Sequence, residues 1–174
     1  MQNKVKELVH KLKKLLKSKN IQAYILFGLN IIVIDRITKY LALHFHEVYF
    51  APFQRIFHLP PIRNYGMSFN LFFLSYSVFI WILRIIGLII TGYFVQRAIQ
   101  KYQRNKKIFA EIAVVAGAIG NLIDRFYYGF VIDFIFFTFP LTNYIAIANI
   151  ADFSITLGCI YLVFDIFIED IIYS

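Results

Sequence analysis

SYSVFIWILRIIGLIITGYFVQ, residues 75–96, carries one charged side chain, Arg84, in an otherwise uncharged run. With a rise of 1.5 Å per residue, a helix of that length spans roughly 33 Å, enough to cross the hydrocarbon core of a bilayer. Residues 21–43, 108–126 and 149–168 read the same way. The 174-residue chain is 60% apolar, 19% aromatic and only 16% charged, whereas a soluble domain gives about a quarter of its residues to charge. The expected fold is an all-α membrane protein of four transmembrane helices in one domain.

The positive charge sits in two places. Seven lysines fall within residues 4–19, and Arg97, Lys101, Arg104, Lys106 and Lys107 fall between the second and third spans. The two connectors on the other side carry only Arg55 and Arg63. Basic loops stay on the cytoplasmic side during insertion, so both termini are expected there. The net charge of +8 thus reads as topology and not as nucleic-acid binding.

Val5, Leu8, Val9, Leu12, Leu15 and Leu16 recur at helical spacing among the lysines. That pattern fits an amphipathic helix lying on an anionic leaflet; a disordered basic tail serving orientation alone fits equally. Residues 1–20 are therefore expected to form a basic cytoplasmic segment ahead of a four-helix domain over 21–174. A cleavable signal peptide fits less well, because Asp35-Arg36 follows the apolar stretch where small residues belong. On the outer face, residues 44–70, with Pro60, Pro61 and the alternation Val48-Tyr49-Phe50-Ala51, read as short strands and turns. Residues 127–148 form a second semi-apolar segment there.

Ionisable side chains in or beside a span cost a few kcal/mol on insertion scales and are functional candidates. Asp35, Lys39, Asp124, Arg125, Asp133 and Asp152 all map to the outer ends of spans or their adjoining loops, from three different helices. Asp165, Glu169 and Asp170 map to the opposite end. Asp35 and Lys39 are four apart and can pair on one helical face, either to anchor the first span or to serve a site. Asn121, Asp124 and Arg125 share a face of the third span, where Gly117 and Gly120 permit close helix approach. Asp152, three residues after Asn149, falls in the first turn of the last span, where the helix dipole favours a carboxylate. Helix capping accounts for that one aspartate but not for Asp133 in the loop ahead of it.

Two carboxylates at close range cannot both ionise, so they share a proton. The ionised one can then take a proton from water while the other polarises a carbonyl. Competing chemistries lack their residues. His44, His46 and His58 fall in the first outer connector without metal-ligand spacing, and no serine lies in a G-x-S-x-G elbow. The single Cys159 permits no intramolecular disulfide. Two other classes remain open. A small ion-coupled transporter could use the same carboxylates, although it calls for charges near the midplane. A lipid-modifying transferase would need an aspartate-bound metal.

Four stretches resemble, in order, the signatures of the lipoprotein signal peptidases (signal peptidase II): Asp35-Arg36-Ile37-Thr38-Lys39; Asn64-Tyr65-Gly66-Met67-Ser68-Phe69; Gly117 through Arg125 with Gly129 through Ile135; and Asn149-Ile150-Ala151-Asp152. The resemblance implies a catalytic dyad of Asp133 and Asp152, with Asp124 in a supporting position. It implies that Asn64, Gly66, Asn121, Arg125 and Asn149 surround the dyad and orient substrate backbone, and that Asp35 and Lys39 brace the first span. It further implies a small β-cradle and a short periplasmic helix on the outer face. The implied activity is aspartic endopeptidase cleavage just before the diacylglyceryl-modified cysteine of a prolipoprotein in the bacterial inner membrane. No cofactor or metal is implied, nothing demands more than a monomer, and the partners are the lipidated signal peptide and membrane lipid. Ala116, Met67-Ser68, Asn70 and Ala148 depart from the family pattern, all by small or peripheral changes. Arg84 has no counterpart in that pattern; its side chain either snorkels to the interface or pairs within the bundle.

Overall fold

The computed structural model describes residues 18–45, 60–66, 76–139 and 144–173. Its helices are α1 (Lys19–Phe45), α2 (Tyr76–Gln103), α3 (Phe109–Tyr127) and α4 (Ile150–Tyr173). Two small antiparallel ribbons sit between them: β1 (Ile62–Asn64) with β2 (Val131–Asp133), and β3 (Ile135–Phe139) with β4 (Tyr144–Ala148). Of the amphipathic segment expected over 1–20, residues 1–17 lie outside the described residues; so do 46–59 (with His46 and His58) and 67–70 of the strands and turns expected over 44–70, residues 71–75, and any short outer helix within them.

Three helices, α1, α2 and α4, are long and apolar enough to cross a membrane. Their large apolar side chains point outward at helical spacing: Leu26, Leu29, Val33 and Ile37 on α1; Ile85, Leu88 and Ile89 on α2; Leu157, Phe164 and Ile168 on α4. A face of that kind is stable only against lipid or another apolar surface. The third helix differs. It carries Glu111, Asp124 and Arg125, and it buries Ala110, Ala113, Ala116, Ala118, Gly117 and Gly120. It packs against each of the other three, so α3 is the inner post of the bundle. Small residues let its neighbours close in: a Cβ at Gly120 would lie 2.9 Å from Asp35 Oδ2 and 3.2 Å from the Ala151 Cβ.

The span boundaries differ from the sequence reading mainly at the basic end. There α2 runs on past residue 96 to Gln103, so Arg97 and Lys101 belong to the helix and not to a connector. They continue it because each finds a carboxylate: Arg97 Nε lies 3.2 Å from Glu111 Oε1, and Lys101 Nζ lies 3.2 Å from the same oxygen and 2.7 Å from Asp165 Oδ2. His44 likewise lies in the last turn of α1 and not in the connector; its Nδ1 is 2.9 Å from the Tyr40 carbonyl and its ring stacks on Tyr40.

Candidate active site

Strand register brings the two acidic stretches together. β1 pairs with β2 so that Ile62 faces Asp133 and Asn64 faces Val131. The β3–β4 hairpin then returns the chain, with Ile135 opposite Ala148, and the Phe134 N–H donates to the Ala148 carbonyl at 3.1 Å. Asp133 and Asn149 therefore meet at the hairpin base, where α4 begins. Asn149 Nδ2 donates to Asp133 Oδ1 at 2.7 Å.

Asn149 also caps α4. Its Oδ1 accepts from the Asp152 N–H at 3.0 Å, while Asp152 Oδ2 accepts from the Asn149 N–H at 3.1 Å. This reciprocal capping box fixes the Asp152 carboxylate in the first helical turn. Asn121 of α3 completes the ring: its Nδ2 donates to Asp152 Oδ1 at 2.7 Å, and its Oδ1 accepts from Asn149 Nδ2 and from Lys39 Nζ, both at 3.2 Å. Asn64 Nδ2 donates to Asp133 Oδ2 at 2.7 Å. The Gly66 N–H donates to Asn64 Oδ1 at 2.8 Å, in a turn that needs φ of +73° at Gly66. Three asparagine amides thus face the carboxylates of Asp133 and Asp152, and Gly66 acts on them through Asn64.

Burial pushes the Asp133 carboxyl above its ordinary pKa. The Asn64 amide opposes that shift, the charge of Asp152 adds to it, and the Asn149 amide and Lys39 ammonium pull it back. The upward effects win. A carboxyl raised by burial and by a neighbouring carboxylate holds a proton that an exposed aspartic acid would lose.

Beneath the pair lies a buried, charge-balanced cluster. Lys39 Nζ reaches Asp35 Oδ2 at 3.0 Å and Asp124 Oδ2 at 2.7 Å; Arg36 reaches Asp35 Oδ2 and Asp124 Oδ1, both at 2.6 Å. Each carboxylate also accepts a backbone N–H from an element of the site. Asp35 Oδ1 takes the Ala151 N–H at 3.0 Å, and Asp124 Oδ2 takes the Ile132 N–H at 3.2 Å. One holds the first turn of α4, the other the strand that ends in Asp133. The i, i+4 spacing signalled the Asp35–Lys39 pair. It gave no sign of Arg36, one residue on from Asp35, which curls back to bridge both acids and the Gly120 carbonyl at 3.0 Å. Arg125 stands beside this ring: its charge interacts with Asp152, Asp133 and Asp124, and it makes no direct ion pair among the described residues.

All the sequence-singled residues Asp35, Lys39, Asn64, Gly66, Asn121, Asp124, Arg125, Asp133, Asn149 and Asp152 therefore gather at one end of the bundle. Asp165 lies at the other end, paired with Lys101. Among the described residues no group of His, Cys, Asp and Glu has the arrangement of a metal site.

Residues 27–168 match the family described as Signal peptidase (SPase) II. The chain belongs to the signal peptidase II family. It is 36% identical over 139 residues to a lipoprotein signal peptidase of Thermodesulfovibrio yellowstonii, covering 77% of this chain and 87% of that protein. It is 37% identical over 149 residues to one of Bartonella henselae, covering 82% and 87%. Among solved structures, one described as a bacterial membrane enzyme superposes with a TM-score of 0.59 at 28% identity, covering 86% of this chain and 90% of that one. Signal peptidase II membership makes the chain a protease of a bacterial, multi-pass membrane kind and sets aside the transporter and transferase readings.

Proposed function

We propose that the chain is a lipoprotein signal peptidase. It cleaves the peptide bond on the N-terminal side of a diacylglyceryl-modified cysteine, with Asp133 and Asp152 as its catalytic dyad. The observation that supports this reading most directly is the ring of amides from Asn64, Asn121 and Asn149, which holds both carboxylates and satisfies them from behind.

In the proposed reaction the pair carries one proton. The ionised carboxylate takes a proton from water, whose oxygen attacks the scissile carbonyl carbon, and the protonated partner gives its proton to the carbonyl oxygen. The tetrahedral intermediate collapses by breaking the C–N bond. The leaving amine of the modified cysteine takes a proton from the dyad, and the hydroxyl proton of the intermediate returns to it. One water is consumed, and the dyad ends with the proton it began with. Arg125, which makes no ion pair among the described residues, serves the substrate's backbone carbonyls in this scheme. The four helices all span the bilayer, with the inner post α3 shielded by the others. The basic end, with Lys101, Arg104, Lys106 and Lys107, faces the cytoplasm, and the dyad faces the periplasm at the inner membrane. The substrate's signal helix lies against the bundle while its acyl chains stay in lipid, and the protein works as a monomer.

Asp133→Asn and Asp152→Asn each abolish cleavage of a lipidated prolipoprotein in reconstituted membranes while the protein is still made and inserted. Wild-type turnover in either variant rejects the dyad.

A further inference from the structure

The end of the bundle opposite Asp133 and Asp152 holds two adjoining cavities that the peptidase reaction does not use. One, of about 410 Å³, has a mixed lining in which the polar groups of Asn20, Asn105, Lys106 and Lys107 stand beside the rings of Tyr24, Tyr102 and Phe109. It lies between the start of α1, the end of α2 and the turn into α3. The other, of about 300 Å³, is an apolar groove whose walls include Ile21 and Ile25 of α1, Val95 and Ile99 of α2, and Ile112 and Val115 of α3. It exists because α1 and α2 each pack on α3 and leave a furrow between them, floored by α3.

Tyr24 and Tyr102 line both cavities. Their rings meet edge to face with centroids 6.3 Å apart, Tyr24 also meets Phe109 at 4.7 Å, and the Tyr102 hydroxyl is 3.2 Å from Ser18 Oγ. An aromatic pair that combines an apolar ring with a polar hydroxyl and borders both cavities is suited to a membrane–water boundary. A cationic, amide-lined chamber joined at that boundary to an apolar furrow matches one kind of molecule. It has an anionic phosphate at one end and a hydrocarbon chain at the other.

We propose that this end of the bundle binds an anionic glycerophospholipid, its phosphate on Lys107, Lys106 and Asn105 and one acyl chain along the α1–α2 furrow. Charge complementarity selects the headgroup, since a lysine near an anionic lipid surface favours it several-fold. The furrow selects a lipid over a free phosphate ion, which would have no use for it. The site rests only on the chain's residence in a membrane and stands or falls separately from the dyad.

The test uses the full chain reconstituted in mixed phosphatidylglycerol and phosphatidylcholine, then released into the gas phase for native mass spectrometry. Wild-type protein retains phosphatidylglycerol in preference to phosphatidylcholine. The double variant Lys106→Gln/Lys107→Gln loses that preference by roughly tenfold or more, and Ile99→Trp, which fills the furrow, lowers retention of both lipids. Unchanged peptidase turnover in both variants shows that they are folded. A photoreactive residue at position 99 crosslinks to lipid. Equal retention by wild type and the lysine variant overturns the proposal. So does loss of phosphate binding in the lysine variant with no effect of Ile99→Trp, which indicates a bare anion site. A crosslink from position 99 to the chain's own residues 1–17 overturns it as well, because that segment would then fill the furrow.

Discussion

Asn149 and Asp152 cap each other, each backbone N–H donating to the other's side-chain oxygen at 3.1 and 3.0 Å. The same asparagine reaches across to Asp133 through its Nδ2 at 2.7 Å. One buried side chain therefore has two separable duties, starting α4 and tying the two acids together. Asn149→Ala removes both. A lost N-cap costs about 1 kcal/mol, and a lost preorganised donor lowers kcat by about a hundredfold. Asn149→Ser separates the duties, because serine caps a helix but cannot reach Asp133. Its melting temperature returns toward wild type while its kcat stays low. Equal recovery of both would show that Asn149 matters only as a cap.

In the proposed reaction one proton on the Asp133–Asp152 pair sets the pH response. Burial raises Asp133 above its unfolded-state pKa, so the folded protein binds more protons than the unfolded chain across that interval. Stability then falls as pH rises from the ordinary carboxylate range through the raised pKa, and is level above it. Activity that requires one proton on the pair declines over the same rise. Asn64→Ala removes an amide that favours the ionised form, so Asp133 titrates higher still. The alkaline limb of the kcat/KM profile moves to higher pH, measured on a lipidated peptide in mixed micelles. A limb that stays in place, or moves toward acid, contradicts this coupling.

Buried charges are strongly destabilising when their partners are removed. Lys39 contacts Asp35 and Asp124 with its side chain 2% exposed; if it is lost, Arg36 is the direct ion-pair partner left to the two acids among the described residues. Lys39→Met is expected to cost about 3–5 kcal/mol, read as a lower midpoint of unfolding in detergent. The double variant Lys39→Met/Asp35→Asn restores charge balance and recovers part of that loss. Failure of the second change to recover anything would mean that packing, not charge, governs the cluster.

How far the site could be read from the chain depended on the distance between partners. Asp35 with Lys39, and Asn149 with Asp152, are separated by a helical turn, so spacing alone placed them together. The meeting of Asn64 with Asp133 depends on pairing β1 with β2 across 69 residues, and no local pattern encodes that register. The resemblance to a known family implied that Asn64 lies beside Asp133, without the register. Arg36 escaped notice because its backbone position points it away from the Asp35–Lys39 face, and only a long flexible side chain brings it back. Glu111 escaped because a lone acid near the start of an apolar span looks like a boundary residue. It is fully buried and held by Arg97 and Lys101. The same two cations explain why α2 outruns the end its hydropathy indicated.

Arg84 had no role in the sequence reading beyond snorkelling or pairing, and the structure favours a defined contact. Its Nε and Nη2 both donate to the Arg125 carbonyl, at 3.0 and 2.5 Å, and its guanidinium carbon lies 4.7 Å from the Trp81 ring centroid and 5.0 Å from that of Phe126. A cation on the carbonyls of a helix's last turn is favourable there, and contact with the two rings, which meet edge to face, adds cation–π attraction. Arg84→Met keeps the apolar stem but loses both interactions, with an expected cost of about 1–3 kcal/mol. Because the carbonyl it holds belongs to Arg125, whose charge faces Asp133 and Asp152, the variant also raises KM for the lipidated substrate more than it lowers kcat. Arg84→Lys retains the charge but lacks the planar fork that donates twice to one oxygen while contacting both rings, so it falls between the two. If Arg84→Met melts and binds substrate as the wild type does, Arg84 serves only to reach the interface.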